Sequence, residues 1–194
     1  MPGVPRKSPL PLMAGIAVVI AVGLAGCSGG SDPSASEAPD ASAAAPTADA
    51  PVFASDEEAL AAAVEAYEAY LDVDSIISAD PGADVESIKE VVSDGYAKTM
   101  IDQYTDVRAA GLRFEGKVTY GGVRLAQWNG GSLASVQFYV CPDVSGIRIF
   151  NSENADVTPT DRDEVLPIVI STEANDQGSL VVSGSDLWSG TDFC

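Results

Sequence analysis

Leu112-Arg113-Phe114-Glu115-Gly116-Lys117-Val118-Thr119-Tyr120-Gly121-Gly122-Val123-Arg124-Leu125-Ala126-Gln127-Trp128 is the stretch on which the fold turns. Leu112, Phe114, Val118 and Tyr120 alternate with Arg113, Glu115, Lys117 and Thr119, the period of two that marks an antiparallel strand buried on one face. Gly121-Gly122 interrupts the alternation and 123–128 resumes it, as a glycine bulge in one long bent strand does. Asn129-Gly130-Gly131 then reads as a hairpin turn and Leu133–Cys141 as the return strand, with Pro142 marking its exit. A short strand over 147–150 follows, then an exposed polar loop over 151–163. Two last strands, 165–172 and 180–188, face each other across Asn175-Asp176-Gln177-Gly178.

Upstream the period changes to that of helices. Ser55-Asp56-Glu57-Glu58 is a capping-box arrangement, and Leu60, Ala63, Val64, Tyr67 and Leu71 form one apolar face of a helix ending near Asp72. Beyond Pro81-Gly82, Val85, Ile88, Val91 and Val92 make a second amphipathic stretch. Tyr96, Met100, Ile101, Tyr104 and Val107 make a third, closed by Gly111. Helices first and a strand meander after predict an α+β domain over 55–194, with N-terminal helices packed on an antiparallel sheet.

Before residue 55 the composition is different. The N-terminus carries Arg6-Lys7 and an apolar run from Leu10 to Ala25, too short for a permanent span of a bilayer about 30 Å thick. It ends in Leu24-Ala25-Gly26-Cys27. That tetrad resembles the lipobox of bacterial lipoproteins at all four positions. The resemblance implies that 1–26 is a signal peptide, that diacylglycerol is joined to the Cys27 sulfur, and that the mature chain starts at Cys27. It also implies an address, the extracytoplasmic face of the cell membrane, held there by lipid. The competing reading is an ordinary secretory cleavage site. Residues 27–54 are rich in Ser, Ala, Pro, Gly and Asp, without an aromatic before Phe53, which is the composition of a disordered tether. Such a tether would hold the domain on the order of 30 Å from the membrane.

With Cys27 taken by lipid, Cys141 and Cys194 are left as an even pair in an oxidising compartment, and a disulfide between them is expected. Two unrelated thiols are the alternative.

The order of elements from 55 to 194 resembles the nuclear-transport-factor-2-like fold, in which helices lie inside a strongly curved antiparallel sheet shaped like a cone. The resemblance rests on that order, on the bulged strand 112–128, and on Val140-Cys141-Pro142-Asp143 with Trp188 and Cys194 at the end. It is similar in this to small exported lipoproteins of high-GC Gram-positive bacteria. Ketosteroid isomerases, polyketide cyclases, dehydratases and non-catalytic envelope subunits share the fold, so it selects no activity.

Charge and composition exclude more than they select. The 194 residues carry 10 Lys+Arg against 29 Asp+Glu, a net charge of −19, and removing 1–26 would make the remainder two charges more negative. A polyanion repels nucleic acid, which is excluded as a partner. There is no histidine, so Ser-His-Asp and Cys-His catalysis and His-ligated zinc are absent too. Read as EF-hand loops, segments starting at Asp72 and Asp156 put Ala83 and Pro167 where the bidentate Glu is needed, and no metal or cofactor is expected. Tyr67, Tyr70, Tyr104, Trp128 and Trp188 are candidates to line a pocket. Asp186, sharing strand parity with Leu180, Val182 and Trp188, is the candidate acid within it. The functional expectation is a non-enzymatic binding or accessory module of the cell envelope, with an envelope protein or a small apolar ligand as partner. A lyase or isomerase using a carboxylate in the cone is the alternative.

Overall fold

The computed structural model describes residues 53–131, 133–191 and 193–194. The segments expected to be a signal peptide and, but for Phe53 and Ala54, a tether lie outside the described residues, as does Cys27. Among those described, no helix is long and apolar enough to cross a membrane. The folded part starts no later than Phe53, which is buried and packs edge-on against Trp128 with ring centroids 5.7 Å apart.

Helix α1 spans Asp56–Ala79. The Ser55 hydroxyl accepts from the Glu58 N–H at 3.2 Å, and Glu58 reaches back to the Ala54 N–H at 2.7 Å, so two otherwise orphaned donors are satisfied. The helix runs a further two turns beyond the expected end near Asp72, because nothing before Asp80-Pro81 removes a backbone donor; Ile77 is the buried residue of that extension. Arg108 then seals the end. Its Nη2 donates to the carbonyls of Ile77, Asp80 and Ala83 at 3.4, 3.1 and 3.0 Å, a cation at the negative pole of the helix. The second stretch is a 3₁₀ helix of six residues, Val85–Glu90, rather than an α-helix. Helix α2 is Asp94–Ala109, burying Ala97, Met100 and Tyr104.

The strands are β1 Arg113–Glu115, β2 Thr119–Asn129, β3 Ser135–Asp143, β4 Arg148–Phe150, β5 Ile168–Ala174 and β6 Leu180–Leu187. They form two antiparallel sheets, one of four strands in the order β2-β3-β5-β6 and one of β1 with β4. The domain is therefore α+β, as its sequence predicts. The segment expected as one bent strand is split between the sheets, and the break is at Gly116, not at Gly121-Gly122. Gly116 has φ +116°, and a Cβ there would stand 2.2 Å from the Gly146 carbonyl oxygen. Only glycine permits both the backbone angle and the approach. Gly116→Ala is expected to destabilise the domain by about 3 kcal/mol, combining left-handed strain with displacement of the 144–147 loop. Urea unfolding measures it through the transition midpoint. The bulge expected at Gly121-Gly122 is there, with a register shift between Gly121 and Arg124.

Pro142 does not end β3, which continues to Asp143. Its carbonyl accepts from the Leu166 N–H at 3.3 Å, so its nitrogen faces the same side, beyond the last β3–β5 pair, Val140 with Ile168. No ladder donor is required there. Val136, Phe138 and Val140 alternate with half-buried Ser135, Gln137 and Tyr139, and with Ile168, Ile170 and Val182 they make the apolar face of the larger sheet. Ala59 and Ala63 let α1 lie close on it, and Tyr67 meets Phe138 at 5.9 Å between centroids. Each fully buried side chain of this kind contributes about 1.5–3 kcal/mol.

Candidate functional site

Where α1 runs past the edge of the larger sheet, its last three turns and the facing side of α2 leave a cavity of about 400 Å³. The β1–β2 junction and the 144–147 loop close it. Leu71, Met100, Val107, Phe114, Val118 and Ile147 give it apolar walls, and of its two carboxylates, the exposed Asp72 and the half-buried Asp74, the latter stands beside Tyr104.

Asp74 is there because α1 is long. It lies seven residues after Tyr67, two helical turns on, and so shares the face that Tyr67 turns inward. The Tyr104 hydroxyl, on α2, donates to Asp74 Oδ1 at 2.7 Å. Ser78, one turn further along α1, is a second donor. Burial pushes the Asp74 carboxyl above its ordinary range, and the two hydrogen bonds offset part of that rise. Burial and the nearby Asp74 charge push the Tyr104 and Tyr70 hydroxyls well above theirs, so both stay protonated donors. A carboxyl whose pKa is higher folded than unfolded favours the folded state below the unfolded value. It loses that contribution as pH rises through the folded one, so an ionised Asp74 is held against stability. A carboxyl of raised pKa inside a cavity is a candidate functional position.

Two basic residues line the same cavity. Arg162 is committed to the loop, its Nη2 donating to the carbonyls of Val144 and Ile147 at 2.8 and 2.7 Å, and Lys117 is exposed. Among the described residues neither forms an ion pair with Asp74. The ion pairs present are Lys89–Glu86, Lys98–Asp102, Arg113–Glu115 and Arg148–Asp156.

Of the candidates named from sequence, Tyr70 and Tyr104 line this cavity. Tyr67 is buried beside it in the core, its ring against Tyr70, Tyr120 and Phe138. Trp128 is at the far end of α1, where its Nε1 donates to Asp56 Oδ1 at 2.7 Å. Trp188 packs on Tyr139 at 5.0 Å between centroids, on the other face of the sheet. Asp186 is exposed and pairs with Val169, whose neighbours Ile168 and Ile170 are the buried ones. The parity that put Asp186 beside Val182 fails because of a bulge. Thr172 pairs with Val182 but Ser171 with Gly184, so the extra residue Ser183 turns the rest of β6 over. Of the six candidates Tyr70 and Tyr104 alone thus converge, and the acid beside them is Asp74, two residues past the helix end expected near Asp72. The signal for it was the recurrence Tyr67, Tyr70, Asp74, Ile77, had the helical period been followed past Asp72.

Cys141 and Cys194 are brought together as a disulfide, with Cα atoms 5.7 Å apart. A Cβ on Gly122 would stand 2.7 Å from the Cys141 sulfur, so the glycine pair at the β2 bulge makes room for the bridge.

No family model matches the chain, and no curated protein matches it in sequence. Among solved structures, the intermembrane space region of the chloroplast protein ARC6 is similar over 68% of this chain and 97% of that one, at 12% identity and a TM-score of 0.48. A likeness at that level carries neither family nor activity. What the fold and the cavity define is a class: an α+β domain with a largely apolar cavity that Asp72 and Asp74 help to line.

Proposed function

We propose that the chain is an exported lipoprotein, anchored through Cys27 to the extracytoplasmic face of the cell membrane. Its domain acts as a non-enzymatic binding module of the envelope. The nuclear-transport-factor-2-like cone is the fold that best accounts for helices lying on the apolar face of a bulged antiparallel sheet. The observation that carries the binding role is the cavity between α1 and α2. Its size is that of a small-molecule site, its walls are apolar, and its polar groups converge on Asp74. The lipobox, Leu24-Ala25-Gly26-Cys27, carries the address.

The experiment is a thermal-shift screen of the full chain in nanodiscs against small apolar alcohols and ketones. Stabilisation by compounds that fit about 400 Å³, without turnover, supports a binding module; a Tm unmoved by all of them removes the cavity as its site. A lyase or isomerase reading has one observation in its favour, the half-buried Asp74. On that reading Asp74 would move a proton on the bound molecule, and product would accumulate with time in the same samples.

A further inference from the structure

We propose that the cavity between α1 and α2 takes an organic ammonium ion carried on a small apolar or aromatic body, with Asp74 as its counter-ion. This rests on the binding-module reading above and narrows it to one ligand class. The first support is the position of the carboxylate. Asp74 accepts from Tyr104 and Ser78, which leaves about two of the four lone-pair sites of a carboxylate unused. Among the described residues no lysine or arginine pairs with it.

The second support is what surrounds that carboxylate. Tyr70 and Tyr104 put ring surface into the cavity, and an ammonium beside such rings gains a cation–π contribution on top of a charge-assisted hydrogen bond. Tyr70 and Tyr104 stay uncharged donors, so they add no competing anion. Asp72, also lining the cavity, adds a second negative charge nearby, while the Arg162 guanidinium is already occupied by two carbonyls. An anionic ligand would meet the carboxylates of both Asp74 and Asp72, with the exposed Lys117 as the cation left in the lining, so the balance of charge disfavours anions as well as favouring cations. The −19 net charge of the chain raises the local concentration of cations and lowers that of anions.

Three probes of the same shape separate charge from fit: 2-phenylethylammonium, 2-phenylethanol and 3-phenylpropionate. Each is titrated into the full chain in nanodiscs, and binding is followed at the methyl group of Met100, which lines the cavity. The ammonium is expected to bind at least tenfold more tightly than the alcohol, and the carboxylate more weakly than both. In Asp74→Asn the ammonium should fall to the level of the alcohol measured in the same variant. Alcohol binding as tight as ammonium binding, or an ammonium preference that survives Asp74→Asn, overturns the inference and leaves the apolar site standing. Silence of the Met100 methyl with all three probes overturns both. If Asp74→Asn does not fold, the ranking of the three probes on the unaltered chain decides alone.

Discussion

Replacing Cys141 and Cys194 together by alanine is expected to destabilise the domain by about 4 kcal/mol, the loop-closure entropy released when a link spanning 53 residues is removed. For a domain of this size that is a fall in Tm on the order of 10–20 °C. The same change should follow from a reductant that reaches the bridge. The bridge joins β3 to the last residue of the chain, so its loss acts first on the tail. Some hold remains without it: Phe193 packs on Tyr139 at 5.3 Å and lies under the Arg124 guanidinium at 4.7 Å, and the Trp188 indole donates to the Thr191 carbonyl at 3.0 Å. These contacts on an exposed surface are weaker than a covalent tie. Limited proteolysis of the reduced protein should therefore cut within 189–194 before it cuts the sheet. An identical Tm with and without reductant, with two alkylatable thiols in protein exported under oxidising conditions, would contradict the bridge.

Cys27→Ser carries the other large effect. If Cys27 is the lipid attachment site, the substitution should move the protein almost completely from the membrane fraction to the soluble fraction, or leave it as uncleaved precursor. Incorporation of a clickable palmitate analogue should fall to background. Two or more acyl chains on one residue make attachment effectively stable, each buried methylene contributing about 0.8 kcal/mol, so the expected outcome is all or nothing. Unlabelled wild-type protein that still sediments with membranes would refute lipidation at Cys27.

The α+β class was legible because periodicity survives folding in the long elements: the alternation at Ser135–Asp143 and the 3.6-residue recurrence in Asp56–Ala79 both point the same way as the packing. Local interruptions were not legible. Gly116 breaks a strand because the Gly146 carbonyl approaches it from a loop 30 residues away, a tertiary contact that leaves no mark in the alternation, whereas the Gly121-Gly122 pair announces its bulge. The bulge at Ser183 inverted the parity on which Asp186 depended, and only Gly184 hinted at it. Asp74 was hidden by its neighbours. Asp72-Val73-Asp74 has the composition of a turn, and the α2 groups that meet the Asp74 carboxylate and the helix end, Tyr104 and Arg108, come to them only in the fold. Tyr104 was recognisable as a pocket residue, while its partner 30 positions upstream was a matter of how the helices pack.

The claim that this domain binds a small molecule between its helices is tested most directly by site-resolved titration. Methyl-labelled protein is titrated with 2-phenylethanol while Met100 and Ile147, which line the cavity, are followed together with Ile170, which is buried on the face of the larger sheet. Saturable shifts at Met100 and Ile147, with Ile170 unmoved, are the predicted result. Shifts spread evenly over all three methyls, or none at the concentrations where the probe stays in solution, would contradict it.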